Sequence, residues 1–163
     1  MPHLQLDTSG TYSVDVKREF ARRLGDVYAE KMQTSPDIVD VTVREHGPGG
    51  VWRSGSEPHP SAVLSCDIRR GRTVEQRAQL ADALVDVAVD VLGVDDRFFN
   101  VEFTQHDGDE IYGSVDIDGV VHRGFAPNWS PSEATRPLLE QVREAWRVPD
   151  ECGVFPVNES IKF

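Results

Sequence analysis

Shifted by sixty residues, the chain falls into register with itself without a gap. Leu4 meets Leu64, Leu6 meets Cys66 and Asp7 meets Asp67; Phe20 meets Leu80, Leu24 meets Leu84, Asp26 meets Asp86 and Val27 meets Val87. Val41 and Val43 then meet Val101 and Phe103, and Glu45-His46 meets Gln105-His106. Apolar positions match apolar positions over about forty-five residues. Such a period means that one supersecondary unit is used twice.

Each copy has the same local grammar. Residues 3–7 and 62–68 are short apolar or alternating runs, as buried strands are. A helix follows each. In the second copy Thr73 and Gln76 form a capping-box pattern, Leu80, Leu84, Val87 and Val91 share one face, and Gly93 is placed to end the helix. In the first copy Ser13 is the cap and Val16, Phe20, Leu24 and Val27 make the buried stripe. Residues 38–45 and 99–105 are the returning strands. A strand, a helix and a returning strand make a β-α-β unit with parallel strands.

The expected fold class is therefore α/β: two tandem β-α-β units forming a four-stranded sheet with two helices on one face. It comprises repeat one over 2–46, a Gly/Pro-rich connector over 47–60, repeat two over 61–113, and a C-terminal extension over 114–163, all as a single domain. In the extension, Ser130-Pro131-Ser132-Glu133 opens a helix expected to run to about Trp146, with a tail beyond it. Little of the chain is left to cover the second face of the sheet, which predicts self-association.

The formal net charge of −11 argues against nonspecific nucleic-acid binding, which needs a basic footprint. No apolar run reaches the length of a membrane span, and the start of the chain lacks the features of a signal peptide, so a cytoplasmic protein is expected. Two cysteines make no disulfide framework; Cys66 in an apolar stretch and Cys152 in the tail read as buried or spectator thiols. The histidines (His3, His46, His59, His106, His122) have no metal-ligand spacing, and no phosphate loop or Gly-x-Ser-x-Gly elbow occurs, so no metal and no cofactor is expected.

Two features could carry chemistry. Pro2 directly follows Met1, and removal of that methionine would leave a secondary amine at the head of a buried strand. An α-amino group titrates near ~8, within reach of general acid–base work. The second feature is Arg69-Arg70-Gly71-Arg72, between the first strand and the helix of the second copy. Guanidinium forks match carboxylates, so two of these arginines could hold a small carboxylic acid; pairing with acidic residues in a solvated loop is the other reading.

On these residues the chain resembles the tautomerase superfamily, which is built from β-α-β units and uses an N-terminal proline. Residues 62–112 resemble the 4-oxalocrotonate tautomerase building block, with Gly71-Arg72 at its strand-to-helix turn. From Pro2 to about Trp146 the chain is similar to the fused branch typified by cis-3-chloroacrylic acid dehalogenase, including Gly49-Gly50-Val51-Trp52 and Tyr112-Gly113. The resemblance implies Pro2 as catalytic amine and Arg69 and Arg72 as carboxylate ligands. Tyr28 stands where that branch has a substrate-binding histidine, and Glu102 where it has a tyrosine. The water-activating glutamate is replaced by Ile111, with Glu110 one residue away. Trp52 is a candidate apolar wall of the site.

The expected function is a cofactor-independent tautomerase or isomerase acting on a small anionic oxo-acid, with Pro2 moving the proton. Glu110 or Glu102 acting on water would instead give a hydratase or hydrolytic dehalogenase of 3-substituted acrylates. A binding protein that keeps the fold without activity is the third reading. Units of this superfamily meet through their sheets, so the resemblance implies a homotrimer.

Overall fold

The structure, a computed structural model, describes residues 2–117 and 120–125. In chain order these form β1 (His3–Thr8), α1 (Val14–Met32), a 3-10 turn (Pro36–Ile38), β2 (Asp40–Glu45), the short strands β3 (Trp52–Arg53) and β4 (His59–Pro60), and β5 (Ala62–Arg69). Then come α2 (Val74–Leu92), a 3-10 turn (Asp96–Phe98), β6 (Phe99–His106), a third 3-10 turn (Gly108–Glu110), β7 (Tyr112–Ile117) and β8 (Val120–Phe125).

The central sheet has the order β2-β1-β5-β6. β1 pairs with β2 and β5 with β6 in parallel, while β1 and β5 are antiparallel. These are the two expected β-α-β units, joined edge to edge. Their relation is a local twofold: Leu4 lies opposite Cys66 and Leu6 opposite Leu64, so exchanging the repeats maps one pair onto the other. The sixty-residue offset holds at the helix boundaries too, with caps at Ser13 and Thr73 and ends at Gln33 and Gly93.

Local chemistry explains those boundaries. The Ser13 side chain accepts from the backbone of Val16, and Thr73 and Gln76 exchange bonds as a complete capping box. Both C-caps are left-handed: Gly93 at φ 65°, where glycine carries no Cβ penalty, and Gln33 at φ 54°, where a side chain does. Ile38 and Val39, expected in the returning strand, precede it instead. Ser35 caps a turn through Asp37 N, and the sheet pairing starts where Asp40 N donates to Pro2 O.

Alternate residues of β1 and β5 (Leu4, Leu6, Leu64, Cys66, Ile68) pack against Phe20, Leu24 and Met32 of α1 and Leu80, Leu84 and Val87 of α2. Each fully buried side chain of this size contributes roughly 1.5–3 kcal/mol. Cys66 is buried here and burial pushes its thiol up to about 12, so it is an unreactive core residue, as expected. Cys152 lies outside the described residues.

The opposite face of the sheet is polar and part-exposed. His3, Gln5, Asp7, Ser65, Asp67, Glu102, Thr104 and His106 alternate with the core residues along β1, β5 and β6. A face of this composition can be solvated, so apolar area alone does not compel its burial.

Two features were not foreseen. The connector carries the β3–β4 ribbon, pinned by Arg53 bonding to Arg97 O and Asn100 Oδ1. The chain past Gly113 forms the antiparallel β7–β8 pair rather than leaving the sheet structure at the end of repeat two. The helix expected over 130–146 and the tail lie outside the described residues. No helix among the described residues is long and apolar enough to cross a membrane.

Candidate active site

A recess at one end of the β1–β5 pair is lined by Pro2, Tyr28, Thr34, Ile38, Arg69, Arg72 and Ile111. Each comes from a different part of the repeat pattern. Pro2 precedes β1 and keeps the inward parity of Leu4 and Leu6. Tyr28 is on the buried face of α1, near its end, and Thr34 and Ile38 follow that helix. Arg69 closes β5, and Arg72 follows the turn at Gly71, whose φ of 104° favours glycine. That turn is braced from below. Arg77 Nη1 donates to Arg72 O at 2.6 Å and to Gln105 Oε1 at 3.3 Å, and Arg70 N donates to His106 O at 2.7 Å.

The electrostatics run against the acidic character of the chain. Arg69 and Arg72 are 8% and 5% exposed, so two guanidinium groups sit almost out of water. Burial pushes Arg69 down to about 10 and Arg72 down to about 9, with Tyr28 beside them opposing the shift. Both stay charged at neutral pH. Burial also raises the Tyr28 phenol above its ordinary value, against the pull of Arg72 and Arg69, so it remains a neutral hydroxyl; Tyr28 and Arg72 share a hydrogen bond. Two desolvated cations beside a neutral donor make a strong attractor for a small carboxylate. The free volume is about 10 Å³, room for one water, so an acid of several atoms must displace side chains to enter.

The sequence-predicted residues divide cleanly. Pro2, Tyr28, Arg69 and Arg72 meet in the recess. Glu110 does not join them: its Oε2 accepts from Asp107 N at 2.8 Å and lies 3.8 Å from His106 Nδ1, while its neighbour Ile111 lines the wall. Glu102 is exposed on the polar face of the sheet, opposite Ser65, whereas Val101 and Phe103 on either side of it pack toward the core. Trp52 is half exposed on the β3–β4 ribbon, next to Val51, which Ser9 binds at the far end of β1. Six residues of strand put it roughly 20 Å from Pro2.

Thr34 and Ile38 were missed. Ile38 was read as strand, and nothing in the sequence around Thr34 points to a site. Its hydroxyl oxygen is buried without a hydrogen-bond partner among the described residues. No group of three or more potential metal ligands occurs among the described residues.

Residues 63–113 match the tautomerase family model, described as "Tautomerase enzyme". The chain has the fold of the tautomerases, and residues 63–113 are similar to that family. The matched stretch carries Arg69, Arg72 and Ile111, and the matched family is one of enzymes. A search of curated proteins found no match. Among solved structures, the tautomerase fold recurs in a member of the cis-3-chloroacrylic acid dehalogenase family, with TM-score 0.63 and 19% identity over 87% of this chain and 99% of that one. A fused 4-OT symmetric trimer gives TM-score 0.63 and 20% identity over 72% of this chain and 95% of that one. A protein crystallised after inactivation by 2-oxo-3-pentynoate gives TM-score 0.62 and 20% identity over the same shares.

Proposed function

We propose that the chain is a cofactor-independent tautomerase of small 2-oxo acids, in which Pro2, freed by loss of Met1, moves a proton between oxygen and carbon. The observation that carries this reading is that Pro2, Arg69, Arg72 and Tyr28 line one recess. Arg69 and Arg72 hold the substrate carboxylate. Tyr28 donates a hydrogen bond to the oxygen that gains charge as the enol loses its proton. The Pro2 amine takes the enol proton and delivers one to the neighbouring carbon, so no net proton is exchanged. A positioned proton carrier is worth roughly 10²–10⁴-fold, and donors aimed at developing negative charge add a comparable factor.

Hydration or hydrolytic dehalogenation has less support. Either needs a carboxylate on water inside the recess, and the wall there is Ile111, with Glu110 bonded elsewhere and Glu102 on the other face of the sheet. The likeness to a fused 4-OT symmetric trimer favours a homotrimer for this chain.

The test is covalent labelling. An activated alkynoic 2-oxo acid such as 2-oxo-3-pentynoate adds a free amine across its triple bond, with one proton ending on carbon and no leaving group. Peptide mass mapping should find one such addition, on Pro2, and a saturating simple carboxylate should slow it. Labelling elsewhere, or labelling indifferent to the carboxylate, would remove Pro2 from the reading.

A further inference from the structure

The local twofold that relates the repeats gives the recess at Pro2 a counterpart at the other end of the β1–β5 pair. A cavity does lie there, lined by Thr8, Ser9, Gly10, Tyr12, His59, Pro60, Ser61, Ala62, Val94, Asp95 and Phe98. The correspondence is residue by residue at the sixty-residue offset. Ala62 takes the place of Pro2, Ser9 that of Arg69 and Tyr12 that of Arg72, while Val94 and Phe98 replace Thr34 and Ile38.

Each replacement changes the chemistry in the same direction. The nitrogen of Ala62 is a peptide nitrogen inside the chain, joined to Ser61, so this end has no amine to carry a proton. Both guanidinium groups become hydroxyls, and among the described residues no lysine or arginine lines the cavity, although Arg53 and Arg97 lie 5.8 and 5.5 Å from the centre of the Phe98 ring. Among the described residues of the lining the one carboxylate is Asp95, and it is paired with Arg97. Tyr28 corresponds to Ala88, a loss of one aromatic ring. The free volume rises to about 140 Å³, against about 10 Å³ at Pro2.

The wall is aromatic and apolar. The His59 ring stacks on Phe98 at 3.5 Å between centroids and 8° between planes, and Pro60, Ala62 and Val94 continue that surface. Among the polar groups, Thr8 Oγ1 is engaged by Gly10 N, and Ser9 Oγ bridges both the N–H and the carbonyl of Val51. Tyr12 and Ser61 add further hydroxyls to the lining. Flat walls and hydroxyls in place of the buried cationic clamp favour a ligand unlike the one at Pro2.

We propose that this cavity is a second binding site, without chemistry of its own, for a small uncharged aromatic ring bearing one hydroxyl. It lacks the buried guanidinium pair that would repay the desolvation of a carboxylate, so the two ends of one duplicated fold take ligands of different character.

Phenol and benzoate, titrated into the full-length protein with methyl-labelled alanine, valine and isoleucine, test this directly. Phenol should shift the Ala62 and Val94 methyls saturably while leaving those of Ile38 and Ile111 unmoved. Benzoate should bind at this cavity at least tenfold more weakly. Val94→Phe, which fills the cavity, should weaken the phenol effect on Ala62 at least tenfold. Phe98→Leu, a gentler change that removes the stacking partner, should weaken it severalfold with the rest of the methyl spectrum intact. Absence of saturable shifts, equal binding of benzoate, or phenol shifts confined to Ile38 and Ile111 would overturn the proposal.

Discussion

Tyr28 and Arg72 share a hydrogen bond in a recess that water hardly enters, and the burial that neutralises the phenol also weakens the hold of Arg72 on its proton. The arginine is pushed down to about 9, and Arg69 to about 10. Affinity for a simple carboxylate, measured from pH 6 to 10.5, should therefore fall as pH rises through about 9, because the cation that holds the anion is lost. A change nearer ~8 would report the Pro2 amine instead. The stability linkage has the opposite sign. The unfolded chain keeps these protons to higher pH than the folded one, so in this window these two groups make stability rise with pH. Affinity unchanged up to pH 10.5 would mean that both arginines keep their protons in the recess.

Glu110 and Ile111 should separate two reactions. Glu110→Gln keeps an oxygen to accept from Asp107 N, so tautomerisation should stay within about twofold of wild type. Ile111→Glu places a carboxylate on the recess wall and should bring measurable hydration of a 3-substituted acrylate where wild type has little. Steady-state assays on both substrates decide this. Loss of tautomerisation in Glu110→Gln would assign that residue a role the geometry denies it.

Thr34 is predicted to touch substrate. Thr34→Val keeps the shape and removes a buried hydroxyl that lacks a partner among the described residues, so thermal stability should hold or rise. If the hydroxyl binds substrate, KM should increase roughly three- to tenfold, as loss of one hydrogen bond of about 1 kcal/mol implies. An unchanged KM would make Thr34 only a wall.

Comparison of the two helix ends yields a stability prediction. Gln33 adopts the left-handed conformation that Gly93 adopts sixty residues later, and only the first carries a Cβ penalty of roughly 1–2 kcal/mol. Part of the gain from Gln33→Gly is offset by the greater freedom of glycine in the unfolded chain. The variant should be more stable by about 0.5–1 kcal/mol, read from denaturant midpoints at unchanged slope. A less stable variant would mean that the Gln33 side chain contributes more than its backbone costs.

Much of this architecture was legible because one unit is written twice. Matching apolar positions located both strands and both helices, and cap residues such as Thr73, Gln76 and Gly93 located the ends. The lining of the recess was legible where motif and repeat coincide: Pro2 at the head of one strand, Arg69 and Arg72 at the foot of its counterpart. The face on which Glu102 lies was legible from the strand period. Phe99, Val101 and Phe103 alternate toward the core, and that period puts Glu102 on the other face. Glu110 was ambiguous, since one residue of a tight turn decides which side chain faces the recess. The β7–β8 pair could have been read from Asp118-Gly119 between two apolar runs, a strong hairpin signal. Thr34 and Ile38 could not, because their roles arise only when the end of α1 meets the loop after β5.

The central claim is that the Pro2 amine carries the proton. The most direct measurement is kcat/KM for ketonisation of an enol 2-oxo acid by Pro2→Ala against wild type, with intact mass showing Met1 absent from both. In Pro2→Ala it should fall at least about 10²-fold with an unchanged circular dichroism spectrum. A Pro2→Ala protein that turns over within a few fold of wild type would contradict that claim.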